Sequence, residues 1–189
     1  MPALISVILG ILLGWAIGGS VRRLAGLELH LEWLLLPLFV LQALARGRAL
    51  GVVGASQLSI YVWAASSTLL VFVMLLNWKT PGMALGAVGI LMNLDVVLLN
   101  SAMPVVLGGS IESISIEAAS IVRSTGGFYR VAGAGDLLTW IGDVIPVSQS
   151  HGLLMISPGD VVLMVAVSCI IMRSMVYEDD RNIGDATDA

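Results

Sequence analysis

Long apolar runs separated by short polar ones organise this chain. Residues 3–19, 30–48, 52–76, 80–99 and 157–175 are each apolar enough to read as a helix entering or crossing roughly 30 Å of hydrocarbon. Polar residues gather between the runs, above all in 101–157. The pattern predicts an all-α integral membrane fold with about five transmembrane helices and a structured loop between the fourth and fifth. Residues 1–176 then make a single transmembrane helical domain including the extramembrane loop 101–157, and "YEDDRNIGDATDA" (177–189) makes a flexible acidic tail.

Punctuation residues refine each run. No positive region precedes the first segment and no cleavage sequence ends it, so it reads as a retained helix. Gly10, Gly14 and Gly18 recur every four residues along it and form a narrow stripe for helix packing. Pro37 interrupts the second segment, which crosses with a kink if Glu32 and Gln42 sit near the interfaces and otherwise forms a re-entrant or interfacial helix. In the third, Ser66, Ser67 and Thr68 can return hydrogen bonds to their own helix, and Tyr61, Trp63 and Trp78 are candidate interfacial anchors, with Trp63 placed deep for that role. Thr80 as N-cap with Pro81 at the first position opens the fourth. Ser157, Pro158 and Asp160 open the fifth in the same manner, with Asp160 three residues after the cap and near the positive end of the helix dipole.

Within the loop, Ile111, Ile114, Ala118 and Ile121 fall at helical spacing and predict a short amphipathic helix, with a strand over "ISI" as the alternative. "STGGFYRVAGAG" (124–135) reads as flexible connection. Asp136 is expected to cap a short helix through Trp140, which Gly142 ends and Pro146 keeps from extending.

Composition narrows the class. Hydrophobic residues make up 58% and charged ones 12%, and mean hydropathy is +0.98, all of which place the chain with integral membrane proteins. The net charge of −4 and the absence of a Lys/Arg run argue against a nucleic-acid partner. One cysteine, Cys169, gives no intrachain disulfide. With the N-terminus outside, Arg22, Arg23, Lys79, Arg173 and Arg181 fall inside and Arg46, Arg48, Arg123 and Arg130 outside, so charge placement scarcely sets the orientation.

Candidate chemistry falls into two groups. Asn93, Asp95 and Asn100 form the first, an intramembrane polar set; Asn93 and Asn100 share a helix face, whereas Asp95 points about 200° away from Asn93. Asp95 either pairs within a structural network or takes up and releases a proton or cation. Asp136, Asp143, His151 and Asp160 form the second, in the loop; cap and turn roles compete there with a magnesium site beside a phosphate. No zinc spacing, no GxSxG and no phosphate-binding GxxxxGK[ST] occurs, so no metal or cofactor is expected and an enzymatic role stays open.

"MNLDVVLLNSAMPV" (92–105), "FYRVAGAGDLLTWIGDVIPV" (128–147) and "SPGDVVLMVA" (157–166) together resemble an uncharacterised family of small bacterial integral membrane proteins, a domain of unknown function. Family members often carry an Asn-Gly-Gly-like stretch before the Met-Pro pair, where this chain has Asn100-Ser101-Ala102. The resemblance implies a multi-pass protein of the bacterial cell membrane, with the lipid bilayer as partner. The resemblance supplies no role; the glycine stripe, the long loop and the lack of a catalytic constellation make an accessory or scaffold subunit, contacting another membrane protein or a second copy of itself, the expected one. The alternatives are a small proton-, ion- or solute-translocating protein and a membrane enzyme acting on a lipid or phosphorylated substrate.

Overall fold

A computed structural model describes residues 2–46, 57–107, 128–149 and 152–176. Five helices dominate it: α1 (Pro2–Ala16), α2 (Leu35–Ala45), α3 (Gln57–Leu76), α4 (Met83–Asn100) and α5 (Pro158–Val176). Of these, α3, α4 and α5 are long and apolar enough to cross a membrane. The other two are shorter. At 11 residues, α2 rises only about 16 Å.

Pro37 does not kink α2. It lies in the first turn, where a missing N–H removes no intrahelical hydrogen bond, so the proline helps to start the helix and the second segment is shorter than its apolar run. The start of α4 is also displaced: Met83 N–H reaches the Thr80 carbonyl (3.1 Å), and Gly82, at φ +97°, precedes the first helical residue. Thr80 therefore turns the chain through its backbone and makes no side-chain cap.

The helices pack in the order α1–α5–α4–α3–α2. Glycines set the closest approaches. A Cβ on Gly10 would lie 2.9 Å from Ile171 Cβ, and one on Gly14 would lie 2.6 Å from Met175 Sδ, so both glycines pack on α5. Gly18 does not share that role: its φ of +83° lets the chain leave α1, and nothing lies near its missing side chain. Between α4 and α5, a Cβ on Gly89 would lie 2.8 Å from the Gly159 carbonyl, and one on Gly159 would lie 2.8 Å from the Gly89 carbonyl. Leu70 and Met74 of α3 meet Met83, Ala87 and Ile90 of α4 in one apolar core, and Gln42 Nε2 donates to Ser67 Oγ (2.9 Å) across α2 and α3. Every helix carries exposed large apolar side chains, among them Leu12, Leu36, Phe72, Leu98 and Val165.

An all-α description is incomplete. Two small sheets occupy the end of the bundle where α4 finishes and α5 begins. Strand β1 (Met103–Val105) pairs in parallel with β2 (Tyr129–Val131), and β3 (Ile145–Gln149) pairs antiparallel with β4 (Gly152–Ile156). The stretch expected to be flexible thus contains β2. The amphipathic element expected at 111–121 and the acidic tail lie outside the described residues.

The α4–α5 approach yields a test. Gly159→Ala is expected to cost about 1–3 kcal/mol through overpacking, whereas Gly26→Ala, with open space at its Cβ position, is expected to change stability by less than about 0.5 kcal/mol. Chemical unfolding in detergent micelles reads the difference; equal effects would contradict close packing at Gly159.

Candidate functional site

Asn93 starts the site. It is 3% exposed on α4 and faces the first turn of α5. There Asp160 N–H donates to Ser157 Oγ (2.9 Å) and Ser157 N–H donates to Asp160 Oδ2 (3.2 Å), which makes a reciprocal capping box. Asn93 enters it from the neighbouring helix: Ser157 Oγ donates to Asn93 Oδ1 (2.7 Å), and Asn93 Nδ2 donates to Asp160 Oδ1 (2.9 Å). The cap expected from "SPGD" is present, and α4 reads it.

Asp143 is brought alongside by backbone pairing. Its N–H reaches the Pro104 carbonyl (3.0 Å) and its carbonyl accepts from Val106 N–H (2.9 Å), so it extends the β1–β2 ladder. The side chain is 4% exposed. Burial, with the Asp160 charge adding to it and Arg46 opposing, pushes the Asp143 carboxyl up to about 8. Tyr129 of β2 sits in the same field. Burial pushes its phenol up to about 12, opposed by Arg46 through charge and a hydrogen bond.

Aromatic groups wall the site. Phe128 meets Trp63 edge-on at 5.3 Å between centroids and Tyr129 at 5.0 Å. The Arg46 guanidinium, just past α2, lies 5.8 Å from the Trp63 ring centroid. Trp63 is 2% exposed and belongs to this wall, in keeping with its depth in the third apolar run. Arg46 Nε, Trp63 Nε1 and Asp143 Oδ1 are buried without a hydrogen-bond partner among the described residues.

The two sequence groups are therefore split and regrouped. Asn93, Asp143 and Asp160 come together with Arg46, Tyr129 and Trp63. Asp95 is exposed on the outer side of α4, away from Asn93, as the helical geometry requires. Asn100 works separately, holding the Leu137 backbone through both amide atoms (Leu137 N–H to Oδ1, 2.8 Å; Nδ2 to the Leu137 carbonyl, 2.9 Å). Asp136 caps no helix: it pairs with Arg130 and accepts from Gly133 N–H (2.8 Å). The Gly133 N–H first, and the Arg130 guanidinium with it, hold the Asp136 carboxyl below its ordinary value. His151 lies outside the described residues, among which no three His, Cys, Asp or Glu side chains gather as a metal-holding group.

Sequence reasoning missed Arg46, Tyr129 and Trp63 as site members. The available signal was an arginine ending an apolar helix and a tyrosine inside "FYR", both charged or polar groups without a partner nearby in sequence. The sequence profile of a family of unknown function (DUF5317) matches residues 26–172, which takes in every site residue named above. No curated protein and no solved structure matches the chain.

The Asp143 environment has a pH signature. Its carboxyl ordinarily titrates near 3.8 and is raised to about 8 in the fold, so the folded state holds the proton more tightly than the unfolded one. The stability this contributes is complete below about pH 4 and is lost as pH rises toward about 8. Unfolding midpoints measured between about pH 5 and pH 9 should fall with pH for the parent and stay flatter for Asp143→Asn. Parallel profiles would mean that Asp143 ionises in the ordinary carboxylate range.

Proposed function

Because the chain belongs to this family of unknown function, the family supplies no activity, and we propose from the site that the protein binds and translocates a proton or small polar solute across a bacterial cell membrane. The observation that carries this reading is a set of three buried polar atoms without partners among the described residues: Arg46 Nε, Trp63 Nε1 and Asp143 Oδ1. Each buried polar atom left unpaired costs about 1–3 kcal/mol, a cost that a polar solute hydrogen-bonded to it would relieve. Asp143 supplies the exchangeable proton, and Asp160 and Arg46 bias it in opposite directions. In this reading α3, α4 and α5 make full crossings, and α1 and α2, which are shorter than a full span, pack beside them.

The accessory-subunit reading drew on the glycine stripe and the long loop as contacts for another membrane component. Gly10 and Gly14 lie against α5, which leaves only Gly18 of the stripe open. The site offers the more specific chemistry.

Vesicles reconstituted with the purified protein and a trapped pH-sensitive dye test the reading. After a pH jump the parent should equilibrate faster than empty vesicles, Asp143→Asn should lose the rate at least about tenfold, and Asp95→Asn, on the outer face, should keep it. No flux in the parent, or equal loss from both substitutions, would remove this function.

A further inference from the structure

Two loops at opposite ends of the bundle repeat one another. "RLAGLELHLEW" (23–33) and "RVAGAGDLLTW" (130–140) share Arg, Ala, Gly, Leu and Trp at the same spacing, five identities in eleven positions. Their backbones repeat as well. Leu31 and Leu138 both adopt left-handed conformations, at φ 58° and 54°, and each leads into one 3-10 turn, Glu32–Leu34 and Thr139–Ile141.

Each loop is held by an asparagine at the end of a long helix. Asn77, after α3, accepts from His30 N–H (2.7 Å) and donates to the carbonyls of His30 (3.0 Å) and Val73 (2.8 Å). Asn100, ending α4, accepts from Leu137 N–H (2.8 Å) and donates to the carbonyls of Leu137 (2.9 Å) and Val96 (2.8 Å). Both clamps fix the residue just before a left-handed leucine. A conformation unfavourable for an L side chain is thereby held in place twice.

Both loops present the same side chain. Trp33 is 68% exposed and Trp140 is 69% exposed, although each rides on a backbone fixed by these bonds. Exposed leucines continue the surface, Leu36 beyond one and Leu137 beside the other. The helices ending at the two clamps pack side by side and are joined by only residues 77–82, so they run antiparallel and their C-termini point to opposite ends. The 18 residues of α4 separate those ends by about 27 Å, close to the thickness of a hydrocarbon core. Trp78 is exposed at the Trp33 end, and Tyr61, in the first turns of α3, is exposed toward the other.

We propose that the two loops are a duplicated bilayer anchor, with Trp33 and Trp140 seated in the headgroup–acyl boundary of opposite leaflets and lipid as their partner. The indole combines an apolar body with an N–H donor and suits that boundary, and the matching exposure at both ends of a bundle of membrane height selects lipid over a protein partner. This inference rests on the membrane reading above but not on the solute site.

The test uses the full chain in lipid vesicles, with Trp33→Phe and Trp140→Phe made separately; both are surface changes. Vesicle flotation is measured first, then tryptophan quenching by lipids labelled at shallow or deep acyl positions. The protein should float, and each substitution should remove a fluorescence component quenched more by shallow than by deep label. In vesicles sorted to one orientation, quencher confined to the outer leaflet should reach one of the two components. Flotation without lipid quenching of either tryptophan, or both in one leaflet, overturns the anchor alone. Failure to float overturns the membrane reading and the anchor with it.

Discussion

The Asn93 amide joins the two helices between which the site is built. Its oxygen accepts from Ser157 and its nitrogen donates to Asp160, so the first turn of α5 is fixed against α4 by hydrogen bonds buried in an apolar bundle. Gly89 and Gly159 permit the backbone approach that these bonds require. Much else follows from that register. Asp160 is placed where its charge acts on Asp143 and Tyr129, and α1 finds its groove on the far part of α5, with Ser168 Oγ donating to the Ser6 carbonyl at 2.9 Å.

At the site the chain departs from ordinary packing preferences. A buried carboxyl beside a second carboxylate, an arginine over a tryptophan face and three unpaired polar atoms would be unfavourable in a region that served only to pack. Elsewhere buried polar groups find protein partners: Ser66 Oγ donates to the Trp63 carbonyl (2.9 Å), Ser67 Oγ accepts from Gln42 Nε2 (2.9 Å), and Ser168 Oγ donates to the Ser6 carbonyl (2.9 Å). The contrast marks the loop end of the bundle as the chemically distinct one.

Features decided by local physics were legible in the sequence. The Ser157–Asp160 cap is a contact across three residues, and the divergence of Asn93 and Asp95 follows from helical pitch alone. The long apolar runs of α3, α4 and α5 needed only counting. What depends on distant partners was not legible. The three-residue strands β1 and β2 are too short to show an alternating pattern and are formed only by pairing across more than twenty residues. The β3–β4 hairpin did leave a trace, two β-branched or aliphatic runs around a two-residue connection, but Pro146 within the first run weakened it. Asp143 was legible as a candidate, but Arg46, Trp63 and Tyr129, which join it, come from three separate segments, so no local spacing could announce them. The repeated arginine-to-tryptophan stretches were visible in principle, and only their shared backbone conformation gives them a physical meaning.

The most direct measurement of the central claim is a double-mutant cycle between α4 and α5: Asn93→Ala, Asp160→Ala and both together, with unfolding free energy read in lipid-like micelles. The account expects the two substitutions to be coupled by about 0.5–3 kcal/mol, with the double variant less destabilised than the sum of the single ones. Additive effects would contradict it, because Asn93 and Asp160 would then stabilise the two helices independently and the register of the site would have another origin.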